Sequence, residues 1–161
     1  MEELFQQVAD ELQTTLGVLI DREAFLDLDS STQTKFSRHV IVHMPGDQLF
    51  RSNIDVGRVV RGIINRSPRA LWVETGGVGG RQRAHIVDDA VYTKNRALRL
   101  YLSSKVGKAA VLLPAESNRF PCDLMSEEGE FAFFLASLAS GGETEGAVEE
   151  GEGEEGSMGG M

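Results

Sequence analysis

Between Lys35 and Met44 the side chains change character at almost every step. Phe36, Val40, Val42 and Met44 fall on one face, and Lys35, Ser37, His39, Ile41 and His43 on the other. Strand side chains alternate with a period of two, so this sorting survives only in an extended segment. The stretch therefore predicts a strand with one apolar face, and it commits the chain to a sheet that needs a layer packed against it.

The segments around that strand supply the layer. Leu4, Phe5, Val8, Leu12 and Leu16 recur at helical spacing over Glu2 to Leu16, and Gly17 is placed to end the helix. A short helical turn is expected at Asp21 to Phe25, then a polar loop over Leu26 to Thr32 that feeds the strand. Pro45-Gly46-Asp47 turns the chain. Asp55 to Asn65 predicts an amphipathic helix, with Val56, Val59, Val60, Ile63 and Ile64 in its stripe. Glu74 to Arg83 is rich in glycine and reads as a flexible connection.

Strands are predicted for His85 to Asp88, for Arg96 to Ser103 and for Ala109 to Leu113, the last closed by Pro114. In the second of these, Leu98, Leu100 and Leu102 share one face, and Arg99, Tyr101 and Ser103 the other. A final helix over Glu127 to Ala139 would bury Phe131, Phe134, Leu135 and Leu138. The interleaving predicts an α+β domain, residues 1–140, with a mainly antiparallel sheet and flanking helices. Residues 141–161 are almost wholly Gly and Glu; with no core-forming residues they cannot offset their ordering entropy and are expected to be a disordered, solvating tail.

The formal net charge is −9, but it is unevenly spread. Residues 35–108 carry 14 of the 16 basic side chains against five acids, a local excess of +9. Seven of the glutamates lie in the tail. A basic centre between acidic flanks attracts polyanions whatever the total charge. The single Cys122 excludes an internal disulfide and a cysteine-rich zinc site, and points to a reducing, intracellular setting. No apolar run is long enough to cross a bilayer, and no secretory signal is visible.

Three groups of residues carry chemistry. Lys35, Ser37 and His39 place an ammonium, a hydroxyl and an imidazole in one row, each able to donate to a phosphate oxygen. Asp88 closes an apolar segment, a common place for a ligand to a divalent metal; Asp89 reads as a turn residue. Downstream lie Lys94, Arg96, Arg99, Lys105 and Lys108. Of these Arg99 could grip a phosphate bidentately or stack on a base, while Lys94 and Lys108 read as charged surface.

Together these residues resemble a known family. Lys35-Phe-Ser-Arg-His39 resembles the Ser-x-His motif of the archaeo-eukaryotic primases. The run from His85 through Asp88 to Lys105 closely resembles the eukaryotic primase-polymerase (PrimPol) segment around its last metal-binding aspartate. Leu28-Asp-Ser-Ser-Thr32 and Asn53-Ile-Asp-Val-Gly57 fit the same family in order and spacing. The resemblance spans Glu2 to Ala139. It implies an RNA-recognition-motif-like catalytic module that handles nucleoside triphosphates and a DNA template and primer.

By that resemblance Lys35, Ser37, His39, Arg99 and Lys105 grip the triphosphate, and Arg96 lies near nucleotide and template. Asp88 and His39 are the expected catalytic residues, with Asp88 binding Mg²⁺ or Mn²⁺. The family's roles are repriming and lesion bypass in nucleus and mitochondrion, and single-strand-binding proteins are candidate partners. The family's Asp-x-Glu metal pair precedes the helix that begins this chain, and its zinc knuckle has no match here. The chain is accordingly expected to be an N-terminally truncated fragment. The alternatives are a non-catalytic remnant that binds nucleotide or DNA, and an unrelated nucleic-acid-binding sheet domain.

Overall fold

A computed structural model describes residues 1–77, 80–94 and 97–138. The tail expected to be disordered lies outside these residues. Helix α1 covers Glu2–Leu16, as its periodicity predicts, and Gly17 ends it in the left-handed region at φ 70°. Leu4, Phe5 and Leu12 are its buried stripe, whereas Leu16 is exposed. A 3₁₀ turn at Arg22–Ala24, capped by Asp21, leads into β1, Phe25–Asp29.

Strand β1 corrects the expectation of a polar loop. It is the middle strand of a three-stranded antiparallel sheet of order β2-β1-β5, with β2 at Arg38–Val42 and β5 at Leu113–Pro114. Two aspartates made this segment look like a loop. Arg38, opposite Asp29 in the register, provides the charge that lets them enter a sheet. Its Nε donates to Asp27 Oδ1 at 3.0 Å and its Nη1 to Asp29 Oδ2 at 3.1 Å. Ser117 Oγ donates to Asp27 Oδ2 at 3.1 Å. Asp27 is completely buried, and buried carboxylates persist only when ion-paired and hydrogen-bonded.

The pairing Leu28↔His39 and Asp29↔Arg38 sorts the sheet into two faces. Phe25 lies on the Asp27 face and meets Phe5 of α1, ring centroids 5.0 Å apart. Leu26, Leu28 and Ile41 lie on the His39 face, in a core with Tyr101, Leu112 and Phe133. Helix α2, Asn53–Arg66, begins two residues before its predicted start with Ser52 as cap, and it packs on α1.

Beyond α2 the expected strands shift. The glycine-rich segment is an antiparallel hairpin of β3, Trp72–Gly77, and β4, Gly80–His85. Strand β4 ends at His85, so the expected strand over 85–88 is instead a bend into a 3₁₀ turn at Asp89–Val91. Residues 97–103 form no strand. Leu102 takes φ 63°, and Tyr101 is buried where Leu98 and Leu102 are exposed, which inverts the predicted faces. Tyr101 earns its interior place with a ring edge-on to Phe133 at 5.0 Å and a hydroxyl that donates to Glu130 Oε1 at 3.2 Å.

Helix α3, Glu127–Ala136, is rotated from the expected stripe: Phe133 is 2% exposed and Phe131 61%. The rotation is set at its start. Ser126 Oγ accepts from Gly129 N, and a Cβ on Gly129 would sit 2.0 Å from the Asp123 carbonyl oxygen. Ser137, one turn beyond Phe133, is buried as well and its Oγ accepts from Tyr101 N.

Candidate functional site

The site is assembled at the end of the sheet where β2 begins. Ser30 follows β1, and the chain folds back so that Ser30 N donates to Ser37 O at 2.9 Å and Thr32 N to Lys35 O at 2.8 Å. Asp29 Oδ1 accepts from Ser31 N, and Ser31 Oγ accepts from Ser37 N at 2.9 Å. The Leu28–Thr32 segment is thus a cradle that fixes the donor row of β2.

Into this cradle comes Arg99. Its Nη2 lies 3.0 Å from Ser30 Oγ and 3.1 Å from His39 Nε2, and Ser30 Oγ lies 3.0 Å from Ser37 Oγ. A guanidinium only donates, so His39 Nε2 accepts, which fixes a neutral imidazole with its proton on Nδ1. Burial, with the positive charges of Arg99 and Lys105, holds the His39 pKa below the usual histidine range. Arg99 Nε is buried without an acceptor among the described residues.

Ser37, His39 and Arg99 are therefore brought together, although up to 62 positions separate them in sequence, and Lys105 lies near enough for its charge to act on His39. Lys35 is exposed two residues before Ser37 on the same extended segment and has no ion-pair partner among the described residues. Ser30 is the member that sequence reasoning missed. Its signal was the string of hydroxyls directly before the donor row, which reads as loop until β1 is placed.

Asp88 lies outside this cluster's hydrogen bonds. It is exposed and its Oδ1 accepts from Ala90 N at 3.1 Å, capping the turn that follows β4. That turn is held from behind by α2. Asn53 Nδ2 donates to Val91 O at 3.1 Å and to Thr93 O at 3.0 Å. Gly57 lets the helix come so close that a Cβ would meet Tyr92 Cβ at 2.7 Å. Burial, then the charges of Asp88 and Asp89, push the Tyr92 phenol up. The Asn53–Gly57 motif is thereby explained as the support of the Asp88 turn.

Mg²⁺ and Mn²⁺ need several oxygen ligands, and one carboxylate does not make such a site. Among the described residues no group of three or more His, Cys, Asp or Glu side chains could hold a metal ion. The residues described do not fit a complete divalent centre, and Asp88 can contribute only one ligand. Arg96 lies outside the described residues.

An antiparallel sheet backed by helices, with Ser-x-His running into one strand and an arginine from a distant loop beside it, defines a partial primase-like α+β module. Curated relatives agree. The chain is 34% identical over 166 residues to the DNA-directed primase/polymerase protein of Danio rerio, covering 84% of this chain and 32% of that protein. It is 31% identical to the protein of that name from Mus musculus and 28% identical to that from Homo sapiens, covering 85% of this chain and 34% and 36% of theirs. By sequence the chain belongs with the DNA-directed primase/polymerase proteins, and it spans about a third of the length of the relatives it matches. No family model matches it. Among the described residues no helix is long and apolar enough to cross a membrane.

Proposed function

We propose that this chain provides the triphosphate grip of a DNA-directed primase/polymerase, the part that holds the incoming nucleotide during templated nucleotidyl transfer. The reading rests on the convergence of His39 and Ser30 on the Arg99 guanidinium, with Ser37 hydrogen-bonded to Ser30 and the charge of Lys105 acting on His39. Cations and hydroxyl donors fixed by the backbone meet a polyphosphate with little reorganisation, which is how positioning and charge neutralisation serve phosphoryl chemistry. Lys35 extends the donor row toward solvent. A triphosphate that accepts from Arg99 would free His39 Nε2 to take a proton, turning the imidazole into a further cationic donor. Asp88 contributes one carboxylate to a Mg²⁺ or Mn²⁺ site that other ligands must complete. Repriming and lesion bypass, in nucleus or mitochondrion, are the processes this activity would serve.

The test is equilibrium binding of a labelled nucleoside triphosphate. Arg99→Ala should weaken it roughly ten- to a hundredfold, the range for a lost charge-assisted hydrogen bond. Primer extension on a primed template with Mn²⁺ or Mg²⁺ is the second readout, and Asp88→Ala should abolish it. Binding without extension favours a non-catalytic nucleotide-binding chain. No triphosphate binding refutes the grip.

A further inference from the structure

On the β3–β4 hairpin, Ser67, Arg69, Trp72 and Arg83 line a concavity of about 300 Å³ that the triphosphate grip does not use. Trp72 is the chain's single tryptophan and is only half-buried. The imidazole of His85, its cross-strand partner, stands edge-on to the indole at 5.2 Å and 81°. His85 is itself locked. Val87 N donates to its Nδ1 at 3.0 Å, so its proton is on Nε2, which donates to Ser67 Oγ at 3.0 Å. Ser67 Oγ passes the chain on to Ile63 O at 2.6 Å. The ring is held in place by hydrogen bonds running back into α2.

Two guanidinium groups line the same concavity. The Arg83 guanidinium carbon lies 5.6 Å from the indole centroid, a loose cation–π contact that a flat guest can enter or displace. Arg69 and Arg83 are exposed, and neither has a carboxylate partner among the described residues. Arg81, by contrast, is paired with Glu74 at 3.4 Å. A fixed aromatic face beside two exposed cations suits a flat, uncharged ring with anions next to it. We infer that the hairpin binds single-stranded nucleic acid, with a base stacked on Trp72 and adjacent phosphates on Arg69 and Arg83.

The inference is independent of the triphosphate grip and is tested without nucleotide. The fluorescence of Trp72 reports directly on the site. Titration with an oligothymidylate of about a dozen residues should quench it, and the anisotropy of labelled oligonucleotide should follow the same curve. Arg69→Ala with Arg83→Ala should reduce the salt slope of log K by about 1.4, two single-strand phosphate contacts at ~0.7 each. Trp72→Ala should weaken binding roughly tenfold, and Trp72→Phe should restore most of it while showing that the hairpin is folded. A nucleoside triphosphate should leave the fluorescence unchanged. Quenching by oligonucleotide with no triphosphate binding would sustain the hairpin site and sink the grip. Oligonucleotide binding without quenching, or with an unchanged salt slope in the double variant, would overturn the inference. So would equal quenching by polyglutamate, which would mark the surface as one for acidic peptides.

Discussion

Replacing Asp27 with alanine removes the one carboxylate buried between two arginines. Arg38 donates to it through Nε and Nη2, and Arg22 Nη2 lies 3.9 Å away. Both arginine side chains are only 13% exposed. With Asp27 gone, Arg38 keeps Asp29 and Ser117 Oγ, while Arg22 keeps the exposed Glu2 carboxylate, the Ser117 carbonyl and its place over the Phe5 ring. Each cation then keeps one carboxylate nearer solvent and loses the fully buried one, while the arginines themselves stay in a nearly dry site. Breaking a buried pair by removing one partner costs about 3–5 kcal/mol. Set against the 5–15 kcal/mol that holds a typical domain together, that is a large fraction. Urea unfolding followed by circular dichroism should show the loss as a lower midpoint at unchanged slope. The double variant Asp27→Leu, Arg38→Met should recover much of it, because an apolar pair removes the uncompensated charge. An Asp27→Ala stability within about 0.5 kcal/mol of the parent would show that the buried carboxylate contributes no more than an ordinary surface group.

Gly57→Ala should destabilise by about 1–3 kcal/mol, since the new methyl meets Tyr92 Cβ rather than the free end of a side chain; thermal unfolding measures it. The same substitution should lower any metal-dependent activity more than triphosphate affinity, because Tyr92 belongs to the Asp88 turn and not to the grip. Stability should also fall as pH drops from about 7 toward 5. His39 and His85 have pKa values depressed by burial, so the unfolded chain takes up protons near 6.5 before the folded one does. A second decline should follow at lower pH, as Glu11 and Asp29, held low by Arg66 and by Ser31 and Arg38 against the effect of burial, are protonated. Urea midpoints measured across the pH range check both steps, and stability that is flat between pH 7 and 5 contradicts the first.

Elements whose pattern is self-contained were legible in the sequence. Helix α1 carries both its apolar period and its terminating Gly17; β2 was recognisable as a strand, but it spans only Arg38–Val42, with Phe36 exposed and Ile41, from the opposite face, packed on the core. The errors fall where a partner distant in sequence decides the outcome. Leu26–Asp29 reads as loop until Arg38 is set opposite Asp29, because only the pairing makes an interior aspartate tolerable. Alternation over 98–103 gave the wrong face because Tyr101 finds Phe133 and Glu130 in α3, contacts no local pattern displays. The donor row leading into β2 and Arg99 were both visible in the residues, and the fold brings Arg99 onto His39. Ser30 was hidden by the same error that hid β1.

In the proposed grip, the neutral His39 beside Arg99 awaits a polyphosphate. The chain has three histidines, so the imidazole resonances of His39, His43 and His85 can be followed one by one by NMR. Adding a nucleoside triphosphate should shift the His39 resonances and raise its pKa, because phosphate charge offsets the field of Arg99 and Lys105 that now holds it down. Arg99→Ala should strongly weaken that response while His85 stays unmoved. A His39 resonance and pKa unchanged at millimolar nucleotide would contradict the account.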